Sequence, residues 1–181
     1  MPTDIEFLVL FAEVSVAFVA FTTIVATLRQ SMMGALRPLQ YLLFRFFVDV
    51  GLMHFLVALI PVGLFYILED EVNVWRITSY FILVFTACYM PNYLARRRRI
   101  DAPVPLVSLM TMVGYGVVLL IMVITVTEWF WLPSLATTTI FLLWGMCSNV
   151  AIFALFLGSF VSVADGGSGR LEAEEAAHLN H

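Results

Sequence analysis

Five long apolar segments, separated by short polar stretches, dominate the pattern of this chain. At about 1.5 Å per residue, each segment is long enough to cross a hydrocarbon layer roughly 30 Å thick as a helix. Lipid offers no partners for backbone groups, so continuous apolar segments predict helices, whereas a β-barrel would need short segments of alternating hydrophobicity. We therefore predict an all-α fold, a polytopic transmembrane helical bundle. Its spans are Ile5–Leu28, Tyr41–Leu68, Val74–Leu94, Val104–Thr127 and Leu135–Val163.

The composition favours a membrane protein over a soluble domain. Hydrophobic residues make up 62% and charged residues 12% of the 181 positions, and the mean hydropathy is +0.98. In soluble domains, about a quarter of all residues are charged. The formal net charge of −4 is unevenly distributed, and arginine supplies all the positive charge. The basic residues thus indicate membrane topology, and no nucleic-acid partner is expected.

The loops alternate in charge, which predicts an orientation. Arginines lie in the first loop, at Arg29 and Arg37, and in the third, at Arg96–Arg99, whereas acidic residues lie before the first span and in the loops at Glu69–Glu71 and Glu128. By the positive-inside rule, the N-terminus is predicted outside and the C-terminus in the cytoplasm. Residues 164–181 then form a polar, acidic cytoplasmic tail.

The tail combines a Gly/Ser stretch with a short helix-prone segment, Leu171–Leu179. Two interpretations stay open: a flexible end or a handle that docks on a partner. The sequence GGSG is also typical of engineered linkers.

Two carboxylates and a histidine lie within the first two spans. Glu13 shares a helix face with Ala17, Ala20 and Thr27, a small-residue stripe that favours close helix packing, so we expect Glu13 to face protein. His54 lies at a similar predicted depth in the second span, where it can meet Glu13. Charge inside the hydrocarbon layer is costly enough to suggest a functional site.

The second span presents polar groups on two faces. Arg45 and Asp49 are spaced i,i+4 and are predicted to form an intramembrane ion pair, whereas His54 points about 140° away from Asp49. This arrangement predicts protein or another subunit on both sides of the helix. In the fifth span, Asn149 shares a face with Thr138 and Gly145 and is expected either to bind a neighbouring helix or to join an ion path.

Two motifs suggest functions that their context does not support. The sequence TMVGYG, around Gly114, is similar to a potassium selectivity filter but leaves no room for a pore helix and a following span, so we predict a continuous helix with a close contact at Gly114 and Tyr115. The run Arg96, Arg97, Arg98 and Arg99 lies beside a span and not within it, unlike a voltage sensor. It is expected to anchor topology, with anionic lipids or the acidic tail as further partners.

Enzyme chemistry is not expected. Cys88 and Cys147 lie in apolar runs and suggest neither a disulfide nor a metal site. The chain shows no nucleophile–base spacing and no phosphate-binding loop, and His54 lacks a second buried histidine with which to bind haem. We predict no metal, no cofactor and no enzymatic activity.

A resemblance extends over the first half of the chain, up to Ser79. The segments AEVSVAFVAFTTIVATLR, DVGLMHFLVALIP and VWRITS, together with Arg45, resemble short uncharacterised bacterial polytopic membrane proteins. Those proteins tend to carry glycines where this chain has Val19 to Thr23. The resemblance implies a bacterial inner (plasma) membrane and no particular activity.

Two functions remain open from the sequence. The first is a small oligomeric proton or cation channel that uses Glu13, Asp49 and His54, with Asn149 as a further candidate. The second is a non-catalytic accessory or assembly subunit of a larger membrane complex. Both predict lipid and a homo-oligomeric or membrane-complex partner.

Overall fold

Five helices make up the fold. A computed structural model describes the backbone of residues 2–100, 106–129 and 132–179, and the side chains of these residues except 2–3, 33 and 159–179. Each helix is long and apolar enough to cross a membrane, and the described residues contain no strand. The all-α prediction is confirmed. The helices are α1 (Pro2–Met33), α2 (Pro38–Phe65), α3 (Glu71–Arg97), α4 (Leu106–Val126) and α5 (Leu135–Leu179).

Local signals set the helix ends. Gly34 follows α1 with a φ of 80°, a left-handed conformation that glycine adopts easily at a helix C-terminus, and its carbonyl accepts a hydrogen bond from Arg29 at 3.2 Å. Pro38 is the first residue of α2, where its missing N–H costs no helical hydrogen bond. Asp70 caps α3 by accepting a hydrogen bond from the backbone N–H of Val72 at 3.0 Å. These polar signals lie just outside the apolar segments, so α2 and α3 begin slightly before the predicted spans.

Helix α2 occupies the centre of the bundle. It packs against α1, α3 and α5, and every pair of consecutive helices is also in contact. Short loops make consecutive helices antiparallel, so the bundle has two ends. We call the end with the α1–α2 and α3–α4 connections the arginine end, and the opposite end the acidic end.

An ion pair supports the predicted grouping of loops at the acidic end. Arg76, near the start of α3, donates a hydrogen bond to Glu128 in the α4–α5 connection, with Nε 3.0 Å from Oε1. The two residues are 52 positions apart in sequence. The α2–α3 and α4–α5 connections therefore lie on the same side of the bundle, as the charge pattern predicts.

Glycines allow bulky side chains to lie against helix backbones. A Cβ at Gly51 of α2 would overlap with Val19 of α1, and a Cβ at Gly114 of α4 would overlap with the indole of Trp144 on α5. Tyr115 is only 1% exposed. The prediction of a continuous helix with a close contact at Gly114 and Tyr115 is thus confirmed.

The Gly/Ser stretch of the tail does not interrupt α5. The backbone stays helical from Leu135 to Leu179, which includes the segment predicted to be helix-prone. The candidate membrane span within it covers Leu135–Gly158. A docking role for the tail stays a prediction.

Candidate functional site

Glu13 lies on the outer surface of the bundle. Its side chain is exposed, as are those of Ala17, Ala20 and Thr27 on the same face. The expectation that Glu13 faces protein is therefore wrong within a single chain. An open groove of about 430 Å³ runs beside Glu13 between α1 and α2, and the α2 residues that line it are Phe55 and Leu59.

His54 is buried on a different face of α2. It is 1% exposed, its ring stacks on Phe141 with centroids 5.2 Å apart, and it lies directly over Gly145, where a Cβ would overlap with Nε2. Nδ1 is 2.7 Å from the carbonyl oxygen of Val50. The imidazole thus points towards α5 and away from Glu13, and the structure does not bring the two residues together.

Asn149 lies on the same buried face of α5. Thr138, Gly145 and Asn149 are all buried, which confirms that they share a face turned into the bundle. The Asn149 amide nitrogen would be 3.8 Å from a Cβ at Gly51. At this interface Gly145 of α5 makes room for His54, whereas Gly51 of α2 lies closest to Val19 of α1 and has Asn149 at ordinary contact distance.

The predicted pair of Arg45 and Asp49 is present. Arg45 Nε is 3.4 Å from Asp49 Oδ2, and the two side chains are 43% and 32% exposed. The Tyr89 hydroxyl donates to the same carboxylate oxygen from α3 at 3.4 Å. Asp49 therefore joins α2 to α3 and lies between the surface of the bundle and its interior.

Behind Tyr89, a narrow void lies between α2, α3 and α4. Its lining includes Thr86, Tyr89 and Tyr115 together with apolar side chains, and it is too constricted to admit a water molecule. On the far side, the Tyr115 hydroxyl faces that of Ser148 on α5. Polar groups thus follow one another from Asp49 to the buried face of α5.

Several buried polar side chains have an atom without a hydrogen-bond partner among the described residues. Each is at most 3% exposed. Ser15 of α1 belongs to this class. The members on α2–α5, which we call the interior polar row, are Ser79, Thr86, His54, Tyr115, Thr138, Ser148 and Asn149.

Two buried threonines of the bundle are satisfied by their own helix. Thr78 donates to the carbonyl of Val74 at 2.8 Å, and Thr125 donates to that of Ile121 at 2.8 Å. Such back-bonding to residue i−4 is the usual arrangement for threonine in a helix. Thr86, two turns beyond Thr78 on the same helix, lacks it. Thr78 and Thr125 are as fully buried as the interior polar row, so the row differs from them in its hydrogen bonding and not in its burial.

The interior polar row extends along the depth of the bundle. Counted from the acidic end at about 1.5 Å per residue, Thr138 lies roughly 5 Å deep, His54 and Tyr115 roughly 17 Å, and Thr86 roughly 23 Å. Asp49 and Tyr89 follow at roughly 24 and 27 Å. From Thr138 to Thr86 the row therefore extends over roughly 18 Å of a hydrocarbon layer about 30 Å thick.

The four arginines at the end of α3 occupy different environments. Arg98 and Arg99 are exposed and Arg96 is half-buried. Arg97 is only 7% exposed, and its Nη1 donates to the carbonyl of Ile100 at 3.0 Å. Arg97 therefore contacts the protein itself, and the predicted contact with lipid headgroups or the tail is left to the other three arginines.

The described residues contain no group of three or more histidine, cysteine, aspartate or glutamate side chains placed to bind a metal. Cys88 and Cys147 are exposed free thiols. The chemistry available in the interior is that of hydroxyl, imidazole and carboxyl groups. These groups accept and release protons.

Sequence reasoning did not identify Thr86 and Ser148 as candidates. Hydroxyl residues are common in helices and normally bond to their own backbone, so their presence gives no signal. The i,i+3 spacing of Thr86 and Tyr89 on α3 is the only hint in the sequence, and it becomes informative only once Tyr115 of α4 is known to face them. Comparison with known proteins adds nothing to this assignment: no family model, no curated protein and no solved structure matches the chain.

Proposed function

We propose that the protein conducts protons across the membrane, along the interior polar row of each chain. The observation that carries the proposal is the set of buried polar atoms without hydrogen-bond partners. Each such atom costs about 1–3 kcal/mol when buried. An apolar side chain of similar size would be cheaper at every one of these positions if their role were packing alone, so their chemistry favours a functional role.

The inner part of the path starts at Asp49. This carboxylate is partly exposed and accepts a hydrogen bond from Tyr89, so it can exchange a proton between the surface and the interior. Tyr89 and Tyr115 line the same void, and Tyr115 faces Ser148. A hydroxyl can accept one proton while it donates another, so these groups form a relay from α2 to α5.

The outer part of the path follows the contact between α2 and α5. His54 and Asn149 are buried in this interface, and Thr138 continues the row towards the acidic end. The imidazole of His54 has one nitrogen bonded to the backbone and the other without a partner among the described residues. Nε2 is thus available to accept a hydrogen bond from the relay.

The constricted interior favours protons over other cations. A void too narrow for water excludes a hydrated metal ion, whereas a proton can pass between neighbouring hydroxyls as they rotate. Glu13 lies outside this path, on the surface of α1. The proposal therefore assigns conduction to Asp49, His54 and Asn149 from the original candidates and adds Thr86, Tyr89, Tyr115 and Ser148.

The second candidate function is that of an accessory or assembly subunit. It is favoured by the exposed carboxylate of Glu13, which makes no hydrogen bond or ion pair with another described residue. A charge on the lipid-facing side of a span suggests that another chain covers it. In this function the interior polar row would serve packing alone.

Proton flux into liposomes separates the two candidates. The protein is reconstituted with a pH-sensitive dye inside the vesicles, and a potassium gradient with valinomycin drives proton entry. We expect wild-type flux, and a loss of roughly tenfold or more in Tyr115→Phe and Asp49→Asn, since each removes a group that transfers protons. Tyr80→Phe is the matched control for Tyr115→Phe, because it removes the same hydroxyl group from a tyrosine of α3 that is 48% exposed.

Three outcomes would contradict the proposal. No flux from correctly folded, reconstituted protein would favour the accessory subunit. Equal flux in Tyr115→Phe and wild type would show that protons do not pass along the interior polar row. If Glu13→Gln lost its flux while the flux of Tyr115→Phe stayed at the wild-type level, the conduction path would lie at the surface of α1.

A further inference from the structure

The exposed face of α1 carries a polar and small-residue stripe that the chain itself leaves uncovered. Glu13, Ala17 and Ala20 lie within about 60° of one another around the helix at 100° per residue, and all three are exposed. Glu6 and Thr27 extend the same stripe towards the two ends of the helix and are also exposed. This α1 stripe is bordered by the open groove between α1 and α2.

The carboxyl group of Glu13 requires a partner at its own depth. It lies roughly 17 Å from the start of α1, so neither membrane surface is within easy reach of a glutamate side chain. A carboxyl group in hydrocarbon is costly unless it is hydrogen-bonded. The groove beside it offers only apolar side chains from α2, Phe55 and Leu59.

A second copy of this chain supplies a chemically matched partner. Copies inserted in the same direction place Glu13 at identical depths, and a two-fold axis along the membrane normal brings the two side chains face to face. Two carboxyl groups in contact share a proton, one donating and the other accepting. Ala17 and Ala20 are small enough to let the two helix backbones approach closely.

We propose that the protein forms a symmetric dimer in which α1 packs against α1 of a second copy through the α1 stripe, with the two Glu13 carboxyl groups hydrogen-bonded to each other. This interface lies on the outside of each bundle. It is separate from the interior polar row, so the dimer does not depend on proton conduction.

Among the described residues, Tyr80 offers another polar group at a comparable depth. Tyr80 is 48% exposed and lies roughly 14 Å from the start of α3. A contact between Glu13 of one copy and Tyr80 of the next would join α1 to α3 in a head-to-tail arrangement and generate a ring instead of a two-fold dimer. Cross-linking distinguishes these arrangements.

Disulfide cross-linking of the full chain in membrane vesicles tests the proposal. In a background with Cys88→Ala and Cys147→Ala, a single cysteine is placed at Ala17 in the α1 stripe or, as the control, at Val113 on α4, which is 61% exposed. With a mild oxidant we expect Ala17→Cys to form a covalent dimer and Val113→Cys to stay monomeric. Co-expression of differently tagged Ala17→Cys and Val84→Cys chains tests the α1–α3 arrangement, since Val84 is an exposed residue of α3.

The contribution of Glu13 is measured by comparing the dimer dissociation constants of the wild type and Glu13 variants in detergent. Glu13→Ala should weaken the dimer roughly 3- to 15-fold, the range expected for one interhelical hydrogen bond. Glu13→Gln should retain most of the affinity, because an amide pair also bonds to itself. Chain folding is checked independently by thermal unfolding. Failure of Ala17→Cys to form homodimers, cross-linking between Ala17→Cys and Val84→Cys alone, or an unchanged constant in Glu13→Ala would overturn the proposal.

Discussion

At the scale of single residues, Gly145 determines how closely α5 approaches α2. The imidazole of His54 lies on its Cα, and a Cβ would overlap with the ring. We expect Gly145→Ala to push the helices apart or force His54 from its position and to lower the free energy of unfolding by about 1–3 kcal/mol, as overpacking does in other cores. The measurement is thermal or chemical unfolding of the purified protein in detergent.

Another glycine provides the control for this prediction. Gly116 has no atom within 4 Å of the position that a Cβ would take, so Gly116→Ala should be neutral or stabilise the helix by up to about 1 kcal/mol. The double variant His54→Ala with Gly145→Ala should be more stable than the sum of the single effects predicts, because the overlap is gone. Equal destabilisation by Gly145→Ala and Gly116→Ala would show that helix propensity, and not the contact with His54, is responsible.

At the scale of helices, the ion pair of Arg76 and Glu128 joins the start of α3 to the α4–α5 connection. Both side chains are more than a third exposed, so solvent screens their attraction. We expect Arg76→Glu to destabilise the protein by about 1 kcal/mol or less and the charge-swapped pair, Arg76→Glu with Glu128→Arg, to recover most of the loss. Unfolding at low and high salt checks this: the difference between single and double variants should shrink at high salt.

The helices show which features a sequence of this kind can predict. The five long apolar helices and the pair of Arg45 and Asp49 depend on residues close in the chain, and both predictions are confirmed. The placement of Glu13 and His54 depends on which neighbour each helix face meets, and α2 meets the non-consecutive α5. Helices that are apolar on all sides give almost no periodic signal for that choice. The sequence therefore does not predict which faces Glu13 and His54 occupy. The close contact at Gly114 is predicted from the small residue itself, whichever helix lies against it.

At the scale of the whole molecule, the proposed proton conduction and the proposed dimerisation involve separate regions. The interior polar row is enclosed by α2, α3, α4 and α5, whereas the α1 stripe faces outwards. Helix α1 packs mainly on α2, with a smaller contact to α5, so its outer face is available to a second copy without disturbance of the interior. Variants in one region should consequently leave the other measurement unchanged. Glu13→Ala in particular should weaken dimerisation while proton flux per chain persists.

The orientation of the whole bundle is the last property that the charge pattern predicts. Arg37, Arg98 and Arg99 are exposed at the arginine end, and Glu69 and Asp70 are exposed at the acidic end, so the positive-inside rule places the arginine end in the cytoplasm. In the cysteine-free background, Glu69→Cys should react with a membrane-impermeant maleimide in intact bacterial cells. Ala35→Cys, in the α1–α2 connection, should react only after the membrane is opened. The opposite pattern would reverse the orientation and with it the entry side of the proposed path, because Asp49 lies nearer the arginine end. Labelling of both sites in intact cells would instead indicate a mixed topology, which the uniform alternation of loop charges argues against.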